Sequence, residues 1–203
     1  MKKTIIFLFS VLMLSFVASC SSSAADPQMN TISVATLTED QQEILDLFSI
    51  PTGQELIIFD FITDELFSQV EVWVEVYEYG VLVDRPAGLV TVTDTGETRD
   101  GRLAVTINKN ENVFQWTLST VENGSRSSHI GTTEITGYSG LGRAFGPMDS
   151  PANIESGKEI IIYSSTFQTA STPHHAFDTQ TLQDQPELLA EFPYAHIIII
   201  RFS

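Results

Sequence analysis

The sequence predicts an all-β domain, an antiparallel β-sandwich of immunoglobulin-like or jelly-roll-like kind, with about seven or eight strands and one short N-terminal helix. Three observations predict it. From Glu55 onward apolar residues recur with a period of two, strong β-formers gather in runs of about five to ten residues, and Gly, Pro, Asn and Asp separate the runs. Ahead of them, Thr38 precedes Glu39-Asp40-Gln41 and the apolar-periodic Ile44, Leu45, Leu47 and Phe48, which reads as a capped helix ending before Pro51. The candidate strands are Glu55 to Ile62, Gln69 to Tyr79, Gly88 to Thr93, Leu103 to Asn108, Val113 to Val121, Lys158 to Gln168 and His196 to Phe202.

In Gln69 to Tyr79, Val70, Val72, Val74 and Val76 share one face, and Glu71, Trp73, Glu75 and Tyr77 share the other. Leu103, Val105 and Ile107 alternate in the same way, and the Asn-rich stretch 108–112 joins that strand to the next as a tight hairpin. Ile197 to Ile200 does not alternate, which predicts a central strand covered on both faces. The glycine-rich segment 122–157 is long for a loop, and Thr132 to Thr136 is its candidate for an eighth strand.

The amino terminus has another chemistry. Lys2 and Lys3 precede a short apolar run, and Ser21-Ser22-Ser23 follow at once, the pattern of an export signal too short to span a bilayer. Val17-Ala18-Ser19-Cys20 resembles the lipobox of bacterial lipoproteins. That resemblance implies cleavage by a type II signal peptidase before Cys20, acylation of its sulfur, and retention at the cell membrane or outer membrane. Two or three acyl chains, at about 0.8 kcal/mol per buried methylene, anchor a protein stably. The expected organisation is a signal peptide at 1–19, a lipidated cysteine and flexible tether at 20–36, and one sandwich domain at 37–203.

The whole chain carries 10 Lys+Arg against 26 Asp+Glu, and loss of residues 1–19 leaves a formal −18. Such a surface repels nucleic acid, whose binding needs clustered cations.

Several groupings are candidate sites. Trp73 and Tyr77, flanked by Glu71 and Glu75, have the chemistry of a glycan platform, with rings to stack and carboxylates to accept; the same pattern serves a strand packed under a loop. Asp94, Glu97 and Asp100 put three hard oxygen donors into one turn-rich stretch, which suits calcium, although the spacing departs from the EF-hand. His174 and His175, with Asp178, offer ligands to a transition metal, but adjacent imidazoles diverge. Gly137-Tyr138-Ser139-Gly140-Leu141 lacks the second glycine of a serine elbow.

No catalytic constellation emerges and no cofactor is expected beyond that calcium. The sequence therefore points to a lipid-anchored, non-catalytic binding or structural module whose partner is a glycan or an envelope protein. An envelope glycan hydrolase using loop carboxylates is the alternative.

Overall fold

The computed structural model describes residues 29–47, 54–63, 67–92, 99–122, 125–137, 141–169 and 177–203. Among these residues twelve strands form two antiparallel sheets. The first runs β10-β1-β2-β6-β7-β8 and the second β4-β3-β12-β11-β9, with β5 also on β3. In chain order they are β1 (Thr31–Val34), β2 (Gln54–Thr63), β3 (Gln69–Glu78), β4 (Val81–Asp84), β5 (Gly88–Val92), β6 (Arg99–Asn110), β7 (Val113–Glu122), β8 (Ser125–Glu134), β9 (Gly142–Pro147), β10 (Ala152–Asn153), β11 (Glu159–Gln168) and β12 (Tyr194–Phe202). Helix α1 (Glu39–Leu47) links β1 to β2, and α2 (Thr179–Asp184) with a 3₁₀ turn (Pro186–Glu191) links β11 to β12.

All seven expected strands are present, so the sandwich stands, but the count and the ends need correcting. β1 lies inside the stretch expected to be tether; Thr31 to Val34 pair with Ile62 to Phe59, because Ile32 is fully buried and needs that sheet. The 122–157 segment carries β8, β9 and β10 rather than one added strand; β8 starts at Ser125 because pairing with β7, and not hydrophobicity, defines it. The N-terminal helix is not alone either, since α2 and the 3₁₀ turn cover an apolar sheet face. Helix α1 begins as expected: the Gln41 N–H donates to Thr38 Oγ1 at 3.3 Å and the Thr38 N–H to Gln41 Oε1 at 3.0 Å, a reciprocal capping box.

The alternation in β3 does what it implied, with Val70, Val72, Val74 and Val76 buried between the sheets. Facing them are Leu103, Val105 and Ile107 of β6 and Phe114, Trp116 and Leu118 of β7. β6 and β7 pair without interruption to Asn110 opposite Val113, leaving a two-residue turn in which Glu111 takes φ 54°. Phe61, Phe67 and Phe202 meet at centroid distances of 5.4 and 5.5 Å and close one end.

β12 pairs with β3 on one side and β11 on the other, and its residues from Ala195 to Ile200 are all buried. His196, Ile198 and Ile200 face the inter-sheet core, while Ala195, Ile197 and Ile199 face outward under Leu182 and Leu189. Each such isoleucine contributes roughly 1.5–3 kcal/mol by leaving water. The domain thus has three layers: sheet, sheet, and the helical stretch 177–192 outside the second sheet.

Where β8 and the β4–β5 connection meet, a Cβ on Gly131 would lie 1.8 Å from the Pro86 carbonyl oxygen. Gly131→Ala is expected to destabilise the fold by about 1–3 kcal/mol through forced backbone separation. Gly146→Ala, where nothing lies within 4 Å, should stay within about 0.5 kcal/mol; urea unfolding of both variants measures the difference.

Candidate functional site

The structure brings Trp73, Glu75 and Tyr77 together, on the face that the helical layer covers. Glu75 is 4% exposed and accepts from three donors: Trp73 Nε1 at 3.0 Å, Tyr77 OH at 2.5 Å and Arg85 Nη2 at 2.6 Å. Burial, reinforced by the bond to Glu75, raises the Tyr77 phenol above its ordinary range and keeps it a donor. Both rings pack against the cluster formed by Leu182, Leu189, Ala195, Ile197 and Ile199, and the Arg201 guanidinium lies 5.3 Å from the Trp73 ring centroid. Glu71 pairs with Arg201 through Nε at 2.7 Å and through Nη2. On this face the carboxylates and ring faces are thus turned to protein partners.

A second polar group ties the sheets together. Glu55, inward-facing on β2, pairs with Arg143 Nη1 of β9 and accepts from Tyr163 OH of β11 at 2.8 Å. Arg143 also donates to Tyr163 OH and Ser165 Oγ, each at 2.6 Å, and its guanidinium stands 4.4 Å from the Phe145 centroid. Burial raises the Tyr163 phenol above its ordinary range. None of these residues has a local sequence signal for its role, because Glu55 lies 88 residues from Arg143 and 108 from Tyr163.

Next to this cluster sits His196, fully buried among Phe114, Trp116 and Phe167 at centroid distances of 4.8, 5.0 and 5.0 Å. Among the described residues neither ring nitrogen has a hydrogen-bond partner. Burial, aided by the nearby Arg143 charge, lowers its pKa from 6.5 to about 3, so the imidazole is neutral.

An open groove lies on the outer side of the second sheet, beyond the end of β9. It measures 590 Å³ and is lined by residues 148–151, β10, Lys158 with the first residues of β11, and α2. A smaller hollow of 310 Å³ over Ser164 and Thr166 shares Asp149 and Asp178 with it. The groove exists because β9 stops at Pro147, opposite Tyr163, and leaves Ile161 without a strand on that side. The Ile161 N–H is taken instead by Gln183 Oε1 at 2.8 Å, which fixes α2 across the sheet. Asp178 caps that helix, accepting from the Thr181 N–H at 2.7 Å and Thr181 Oγ1 at 3.1 Å, bonds that lower its carboxyl below the ordinary range. The Asp178 of the histidine grouping is therefore a cap, a role that Asp followed by Thr-Gln-Thr signals in the sequence.

Cys20, Asp94, Glu97, His174 and His175 lie outside the described residues. Asp100 is exposed on β6, opposite Ile62. Among the described residues no group of three or more His, Cys, Asp or Glu side chains is placed to hold a metal ion, and no helix is long and apolar enough to cross a membrane.

The family model of the YgaN domain matches residues 31–201, from β1 through β12. The chain belongs to the YgaN-domain family. Comparison with curated proteins and with solved structures returned no match. The matched span includes β1 and all three layers, so the YgaN domain is the whole sandwich with its helical cover.

The caged histidine gives the YgaN domain a pH dependence of definite sign. With a folded pKa near 3 and an unfolded value of about 6.5, the unfolded chain holds one proton more between those limits. His196 therefore leaves stability intact above about pH 6.5 and removes it as pH falls towards 3, with a slope approaching 1.4 kcal/mol per pH unit. His196→Phe should flatten the stability-versus-pH curve by that amount across pH 6 to 4, measured by urea unfolding against the unmodified protein.

Proposed function

We propose that this chain is a lipid-anchored, non-catalytic module of the bacterial cell envelope that holds a glycan in the groove beside α2. The groove carries the reading. It is open and wide enough for a small ligand, and hydroxyl, amide and carboxylate side chains dominate its lining: Ser150, Asn153, Thr179, Gln180, Asp149 and Glu159. Such groups accept from and donate to sugar hydroxyls. The buried carboxylates elsewhere support a binding role over a catalytic one, because Glu55 and Glu75 are engaged by protein donors. Location rests on the lipobox-like Val17-Ala18-Ser19-Cys20 behind a basic and apolar leader.

Two experiments test the two parts. Labelled palmitate should enter the chain in a bacterial host and be lost in Cys20→Ala, with the variant released from the membrane fraction; equal labelling of both would remove the anchor from the proposal. A thermal-shift series with envelope and dietary glycans should give one ligand that raises Tm by roughly 5–10 °C at about a hundred times its Kd. Asp149→Asn, altered where the two hollows meet, should reduce that shift and leave the ligand-free Tm in place. A glycan that is cleaved would instead favour a hydrolase. No shift with any glycan would move the role to an envelope protein partner.

A further inference from the structure

We propose that the domain forms a two-fold dimer by antiparallel pairing of β8 with β8 of a second copy, centred on Ile130. This inference is independent of the groove. β8 is ten residues long, ends the first sheet and, among the described residues, pairs with no strand but β7, across ten positions without a bulge. The other edge strands are shorter: β10 has two residues, β4 four, β5 five, and β9 six with a terminal proline. An edge strand presents unpaired N–H and C=O groups, and proteins that stay monomeric protect such edges with bulges, prolines, charged side chains or a covering element. β8 contains neither proline nor bulge.

Its side chains complement their own reverse. The residues facing away from the core are Arg126, Ser128, Ile130, Thr132 and Glu134, all exposed. With Ile130 on the axis, Ile130 meets its copy, Ser128 meets Thr132, and Arg126 meets Glu134, each of the last two pairings occurring twice. Ile130 is 60% exposed in the single chain, an apolar side chain that this arrangement covers. Ion pairs occupy Arg85, Arg102, Arg143, Lys158 and Arg201, whereas Arg126 has none among the described residues. Glu134 uses Oε1 to accept from Asn112 at 2.7 Å and keeps Oε2 for a second donor.

The register is selective. Alternate residues of an edge strand point their hydrogen-bonding groups outward, so two copies can slide only in steps of two residues. One step places Ser128 against Ile130 and Arg126 against Thr132; the opposite step places Ser128 against Glu134 and Ile130 against Thr132. Both lose the charge pairs and the isoleucine contact. Opposed polar pairs and opposite charges stabilise a ladder and like charges oppose it, and a self-complementary patch closes as an isologous dimer.

Light scattering on the full chain across a dilution series should show two chains per particle. Arg126→Glu or Glu134→Arg alone, which set like charges opposite each other, should weaken the dimer about tenfold or more. The double exchange Arg126→Glu with Glu134→Arg should restore it. In the full chain carrying Cys20→Ser, Ile130→Cys should cross-link to its copy under diamide, since opposed Cα atoms in such a pair are about 4.5 to 5.5 Å apart. Thr117→Cys, one strand inward, should not. A chain that is monomeric up to its solubility limit overturns the proposal, as does a dimer that ignores both single charge changes or whose Ile130→Cys form fails to cross-link.

Discussion

β12 is apolar on both faces, and much of the structure follows from covering it. Its inward side chains are met by the first sheet, an ordinary sandwich core. Its outward set, Ala195, Ile197 and Ile199, requires a third layer, and the stretch 177–192 supplies it with Leu182, Leu189 and Phe177. That layer converts the outer face of β3 from a surface into an interior, which is why Trp73 and Tyr77 are half-buried and why Glu75 needs three donors. A buried carboxylate without such partners would cost several kcal/mol or take up a proton. The donors make the face compatible with the layer.

The two polar clusters divide the labour of holding layers together. Glu75 sits between the second sheet and its helical cover, and Glu55 with Arg143 and Tyr163 bridges the two sheets. Buried polar ties of this kind add less net stability than apolar packing of equal volume, but losing one partner leaves a charge stranded. They favour one alignment of the layers over others. The margin beyond β9, where strand coverage ends and α2 is pinned by Gln183, is where the layers leave an open groove. The proposed binding role belongs there, at the border of an otherwise closed architecture.

The elements that the sequence revealed are those whose burial pattern is local. β3 was legible because four valines alternate with polar or aromatic residues, and β12 because its isoleucines do not alternate at all. β8 was largely hidden, since Ser125–Glu134 has little apolar content and owes its structure to β7. β1 is hard to tell from tether in the sequence because Ile32 and Val34 alone, within a polar stretch, are too few to set a period. The third layer leaves little trace in the sequence because six-residue helices carry a weak periodic signal, and without that layer the burial of Glu75 is not legible. Arg143 carries no local signal because its partners lie on the neighbouring β11 and on β2 of the other sheet, all distant in the chain.

The chain's two tryptophans report on the two interiors separately: Trp116 is fully buried between the sheets, and Trp73 lies under the helical layer. The most direct test of the three-layer account is guanidinium unfolding followed by fluorescence in Trp73→Phe and Trp116→Phe, each of which leaves a single reporter. If the outer layer is integral to the fold, each variant's tryptophan transition will coincide with its own loss of β-sheet circular dichroism. A Trp73 signal that changes at clearly lower denaturant than the sheet signal of the same variant would show that the helical layer detaches by itself, and would contradict the account.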